Sequence, residues 1–206
     1  MATRLSTTKH DGILLIALEG DDGFPRLERD ILSGLKAQAA NLADAPDLSG
    51  AVITGTERAF ATGAEITEIA KLTGASAFEF ARHGQGAMRA VANSRKPVVA
   101  AIRGYCMGGG LDLALACAAR IATADAVFAH PGGSLGIITG WGGTQRLPQL
   151  VGRTCALEML VTGRKVDAAE AYAVGLVSRI VPPDRVVEHA IQTARTVASR
   201  LSSIRG

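Results

Sequence analysis

Only three cysteines occur in the 206 residues, Cys106, Cys117 and Cys155, and no CxxC or cysteine–histidine spacing joins them. An odd, scattered set of thiols excludes a disulfide framework and a structural zinc site, and it fits a reducing, cytoplasmic setting. Aromatic residues are equally scarce, at 4% with a single tryptophan, and the net charge is only +3. Without a basic stripe interleaved with aromatics, a nucleic-acid-binding role finds no footing. No apolar run is long enough for a membrane span, because the best stretch, 97–123, is interrupted by Arg103, Asp112 and Arg120. The polar start, MATRLSTTKHDG, has no apolar h-region, so no secretory leader is expected. The phosphate-cradling motifs GxGxxG and GxxxxGK[ST] are both missing as well.

What is present is a core. With 48% hydrophobic residues and no Ser/Pro-rich linker, the sequence reads as one globular domain over 1–206. Strand-like segments at 12–20, 49–55, 97–104 and 176–183 alternate with helical spacings. Leu27, Ile31, Leu35, Ala39 and Leu42 form one such helical face; Phe80, Gly84, Met88 and Val91 form another. Further helices are expected near 111–118, 143–150, 153–161 and 168–172, and ARIATADAVFAHP reads as two short strands turning at Asp125. This alternation predicts an α/β fold with largely parallel pairing. A last helix, about 184–201, carries Val187, Ala190, Ile191, Ala194, Val197, Ala198 and Leu201 on one face, which must pack on this domain or on another subunit.

The chemistry concentrates where side chains are fewest. In GYCMGGGLDLALACAAR, the triplet Gly108–Gly110 opens a helix that bears Asp112 in its first turn. Glycines there let a ligand approach the backbone and leave the first helical N–H groups unpaired, suited to an anion or a developing oxyanion. Tight packing of the helix start against a sheet explains such a cluster equally well. In ITGTERAFATGAEITEI a second pair, Gly63-Ala64, precedes another helix start, so each segment can offer one amide to a single oxygen.

These segments resemble the enoyl-CoA hydratase/isomerase, or crotonase, superfamily. AFATGAEI is similar to its AF-x-AGAD-I motif, and AIRGYCMGGGLDLALAC to its A-x-x-G-x-x-x-GGG-x-E-L-A-x-x-C segment. GWGGTQRLPQLVGR and VTGRKVDAAEAYAVGLVSRIVP resemble two further family runs, in the family's order. The resemblance implies a crotonase-like (ClpP/crotonase) spiral of ββα units and an acyl-CoA thioester substrate, with coenzyme A arriving as part of it and no separate cofactor or metal. It also implies a homotrimer or hexamer acting in fatty acid metabolism. The N–H groups of Ala64 and Gly109 would polarise the thioester carbonyl, with Glu65, Ile66, Gly108 and Gly132 around the substrate.

Departures from the family pattern are specific. Asp112 stands where the family has its first glutamate, and it is assigned here either to acid–base catalysis or to complementing the helix N-terminus. Gly132, in FAHPGGSLG, stands where the second glutamate falls, which argues against efficient two-carboxylate hydration and leaves a catalytically weak or silent acyl-CoA-binding paralogue as the alternative. His130 either substitutes for that acid or packs at a strand end. Trp141 lines a pocket or belongs to the core, and Cys106 reads as core. The acidic EGDDGFPRL stretch replaces a basic segment near the CoA phosphates, with Arg26 the one compensating cation. The helices that usually follow in the family lie beyond Gly206 or are absent.

Overall fold

The computed structural model describes residues 2–205. Two sheets carry the chain. In the first, β1 (Thr3–His10), β2 (Ile13–Gly20), β3 (Gly50–Thr54), β5 (Val98–Ile102), β7 (Ala119–Ala122) and β10 (Arg179–Ile180) lie in the order β1-β2-β3-β5-β7-β10. The second orders β4 (Ala59–Ala61), β6 (Tyr105–Met107), β8 (Val127–Ala129) and β9 (Val166–Asp167) as β4-β6-β8-β9. Pairing is parallel except β1 with β2 and β8 with β9. Successive strands therefore step from the first sheet to the second and then into a helix, the ββα spiral that the family resemblance implies.

Burial follows the period of two. In β5, Val98, Ala100 and Ile102 face one core, while Val99 and Ala101 face the other. The larger core receives Ile31, Leu32, Leu35 and Leu42 of α1 (Arg29–Asp44), and Ala87, Met88 and Val91 of α3 (Gly74–Ala92). The smaller core is capped by Val186, Ala190 and Ala194 of α8 (Val186–Arg205), packed on Ile13, Val52, Val99 and Ile121. The inner side of the last helix is thus covered by the chain's own sheet.

Three differences from the sequence reading have physical causes. The polar first segment is a full strand, because Asp11-Gly12 forms a hairpin turn with φ of 46° and 81° that zips Thr3–His10 onto Ile13–Gly20. The strand expected at 176–183 shrinks to Arg179–Ile180, since Leu176 and Val177 instead close the turn after α7 (Ala168–Ala173). The two strands around Asp125 form, but they belong to different sheets.

The helix that bears Asp112, α4 (Gly109–Ala116), is anchored at its far end by Arg120. Its guanidinium is buried and donates to Cys117 O at 2.8 Å and Leu176 O at 2.6 Å, with no carboxylate in the set. A cation there complements the helix C-terminus and satisfies carbonyls that water does not reach. Arg120→Met is expected to cost on the order of 3 kcal/mol by orphaning those carbonyls, read as a fall in the denaturant midpoint.

Candidate active site

Between α3, α4 and the segment that follows β8 lies a cavity of about 340 Å³. Its wall is mostly apolar, with Ile66, Phe80, Ile137, Ile138, Trp141 and Leu160 contributing side chains. The titratable side chains among the lining residues are Asp112 and His130, with the Thr139 hydroxyl beside Asp112 and Thr62 also on the wall. An apolar cleft with a few convergent polar groups is the form expected of a small-molecule site.

The two glycine-bearing segments meet on this wall. Gly63 has φ of 86°, and a Cβ there would lie 2.6 Å from the Gly109 nitrogen. Gly108 precedes α4 with φ of 52° and ψ of −122°, a backbone region reserved for glycine. Gly110 is pressed against the backbone of Ala61, so β4 and α4 are in direct contact there. Ala64 and Gly109 both line the cavity, and among the described residues no protein acceptor meets either N–H. The Gly109 amide is free because it sits in the first turn of α4, where the first bond inward is Asp112 N–H to Gly108 O.

Asp112 is 1% exposed, and the Thr139 hydroxyl donates to its Oδ2. The N-cap position of α4 is Gly108, so no side-chain cap bond occurs at the start of the helix, and Asp112 is the acid of its first turn. Burial pushes its pKa up to about 6, against the opposing pull of Thr139, the Trp141 and Gly143 backbone amides and the Arg146 charge. A helix N-terminus typically favours a carboxylate by only ~0.3–1 kcal/mol, and desolvation outweighs that here. Asp112 Oδ1 makes no well-formed hydrogen bond.

His130 is the residue that sequence left undecided and structure brings in. It is 3% exposed, lines the cavity, and places Nε2 3.6 Å from Asp112 Oδ1. Neither ring nitrogen has a hydrogen-bond partner, and burial lowers its pKa to about 4. Gly143 fits against both groups: a Cβ there would overlap Asp112 Oδ1 and lie 2.9 Å from His130 Nε2. Trp141, 4% exposed, fulfils both of its sequence readings, since it packs against Gly84 and Gly109 while lining the cavity. Thr139 and Gly143 carried no signal in the sequence, as their roles depend on which elements fold together.

The remaining expected residues divide. Ile66, Gly108 and Gly132 line the cavity. A side chain at Gly132 would meet the Ile137 carbonyl oxygen at 2.8 Å, so the loop closes over the position the glutamate would need. Glu65 does not line it; its carboxylate pairs with Arg26 Nε at 2.7 Å. Arg26 is also held by Asp22 at 3.0 Å, and the Arg26 guanidinium in turn keeps the Asp22 carboxyl down at about 2. With two carboxylates on it, Arg26 is engaged by the fold. The Cys106 thiol is buried and its pKa lies well above the ordinary value, in keeping with a core role. Among the described residues no cluster of three His, Cys, Asp or Glu side chains is placed to hold a metal, and no helix is long and apolar enough to cross a membrane.

Comparison with known proteins matches this geometry to a family. The family profile described as enoyl-CoA hydratase/isomerase covers residues 8–204. A protein of Mycobacterium bovis named "Probable enoyl-CoA hydratase" is 40% identical over 192 residues, which are 92% of this chain and 73% of that one. The crotonyl-CoA hydratase of Syntrophomonas wolfei is 34% identical over 93% of this chain and 74% of its own. Among solved structures, DspI of Pseudomonas aeruginosa superposes with a TM-score of 0.91 at 35% identity, covering 97% of this chain and 84% of that one. Enoyl-CoA hydratase from Bacillus anthracis gives 0.89 at 34%, over 95% and 76%. The sheet order, the ββα spiral and these superpositions share one crotonase-like fold. By profile, by relatives and by fold, the chain belongs to the enoyl-CoA hydratase/isomerase family.

Proposed function

We propose that the protein processes an enoyl- or related acyl-CoA thioester through an enolate. The thioester oxygen accepts from the Ala64 and Gly109 N–H groups, and Asp112 moves a proton at the carbon next to the carbonyl. What carries this reading is the meeting of two unpaired amides, from separate loops, on the wall that also holds a buried, partly unsatisfied carboxylate. Donors fixed before the reaction stabilise charge as it develops, in a site that excludes water. Coenzyme A enters as part of the substrate, and the apolar wall receives the acyl group. A trimeric or hexameric assembly belongs to the same proposal.

Proton exchange is the test closest to that chemistry. Butanoyl-CoA in D2O is expected to exchange its α-hydrogens, followed by NMR, faster with the protein than without it. But-2-enoyl-CoA tests bond-order change in parallel, through loss of its enone-like absorbance. A second reading, a silent acyl-CoA-binding paralogue, draws on the closed loop at Gly132 and the engaged Arg26. Calorimetric binding of butanoyl-CoA without exchange or absorbance change would establish that reading and remove the enzymatic one.

A further inference from the structure

Two buried side chains on the wall of the cavity have polar atoms without a well-formed hydrogen bond. Asp112 Oδ1 and His130 Nε2 make no well-formed hydrogen bond, although the Trp141 and Gly143 amides lie close to the carboxylate; the two atoms stand 3.6 Å apart, and both residues line the cavity. Buried polar atoms are normally paired, and an orphaned pair facing a cavity calls for an occupant with hydrogen to share. Gly143 packs its backbone against both groups from the side of α5, since any side chain there would run into them. Gly132 offers no acid in their place.

We infer that Asp112 and His130 act together as a proton-sharing pair that binds and activates the water added to the β-carbon of an enoyl thioester, so that His130 supplies the second acid–base function for hydration. The inference rests on the enolate reading above and adds the hydratase step to it. Water held between the two groups forms its new C–O bond to the β-carbon and gives one proton to His130 Nε2. The electron pair of the α,β double bond moves to the thioester oxygen, which the two amides hold as an enolate. The Asp112 carboxyl then delivers its proton to the α-carbon as the enolate collapses. The product carries hydroxyl and hydrogen, and the proton on His130 returns to Asp112 to reset the pair. The pair begins and ends the cycle with one proton, and holds a second only while the enolate exists.

The ionisations agree with this. Burial moves the two groups in opposite senses, Asp112 up to about 6 and His130 down to about 4, so the carboxyl keeps its proton while the imidazole stays neutral between those values. The charged or titratable neighbours are Arg146 on α5 (Gly143–Val151), which opposes the Asp112 shift, and the neutral Cys106 thiol on β6.

The experiment compares water addition to but-2-enoyl-CoA with α-hydrogen exchange of butanoyl-CoA, in the wild type and in His130→Gln. Loss of general acid–base help typically costs ~10²–10⁴-fold, and that loss is expected to fall on hydration far more heavily than on exchange. Equal losses in both assays, or no loss in either, would overturn the pair, as would a wild type that exchanges butanoyl-CoA without hydrating but-2-enoyl-CoA. A wild type that does neither removes the enolate reading itself and this inference with it. If His130→Gln does not fold, the wild-type profile decides. Hydration kcat/KM is expected to fall on both sides, with limbs near the two values above, whereas a flat profile from pH 4 to pH 8 sinks the proposal.

Discussion

Asp112→Asn is expected to abolish most of the activity and, at the same time, to make the protein more stable. On the activity side, the variant keeps the volume of the side chain and an acceptor for Thr139 but has no proton to give or accept. Positioned acid–base groups contribute typically ~10²–10⁴-fold, so both hydration and α-exchange are expected to fall by that order. The stability side follows from burial. Asp112 has its folded pKa raised from 3.8 to about 6, so the folded state holds the proton more tightly than the unfolded chain. That contribution is fully present below about pH 4 and is lost as pH rises through 6. Above that value the buried charge costs about 3 kcal/mol, at 1.36 kcal/mol per unit. A neutral asparagine avoids this cost, and chemical denaturation at pH 7.5 is expected to show a gain approaching it. A variant that loses activity and stability together would mean that Asp112 is a structural anchor instead.

His130 reverses the sign. Its folded pKa is depressed to about 4 from 6.5, so its contribution is present above about 6.5 and is lost as pH falls through 4. Between pH 4 and pH 6 the two groups tilt stability in opposite directions, and the wild type is buffered by the pair. Asp112→Asn removes one slope and leaves the other, so the variant is expected to lose stability on acidification more steeply than the wild type over that window.

How much of this was legible in the sequence depends on the range of the interactions involved. Helices with a wide apolar face were readable, because the spacing of Ile31, Leu35, Ala39 and Leu42 is set by the helix itself. The same holds for β5, whose five residues are all buried. The second sheet was mostly invisible. Ala59–Ala61, Tyr105–Met107 and Val166–Asp167 are too short to show a period, and they become strands only by pairing with one another and with β8. The Asp-Gly turn that makes β1 a strand did leave a signal, one masked by the polarity of Thr3–His10. At the site, Gly63, Gly108 and Gly109 were readable because their backbone conformations and close contacts leave no room for a side chain. The partners of Asp112 were not. Thr139 and Gly143 reach it from a loop and a helix start well along the chain, and no local pattern records which hydroxyl will face which carboxylate.

A methyl group at Gly109 tests the other half of the site. Its Cβ would run into the Trp141 ring, at 2.6 Å from Cε3, and would stand 3.3 Å from Gly63 Cα. Neither neighbour yields freely: Trp141 is wedged against Gly84 on α3, and Gly63 sits at a positive φ that fixes the direction of the Ala64 amide. The collision is therefore relieved by separating the two loops, and the Ala64 and Gly109 N–H groups no longer converge. Losing one oxyanion donor costs typically ~10²–10³ in turnover, and Gly109→Ala is expected to lose that much in α-exchange of butanoyl-CoA. Gly86→Ala on α3 serves as the control, since its Cβ meets nothing within 4 Å and alanine is favoured over glycine in a helix by about 1 kcal/mol. That control is expected to melt higher and to keep its activity. If Gly109→Ala retained full exchange while folding normally, the thioester oxygen would have to be held elsewhere, and the enolate mechanism would lose its structural basis.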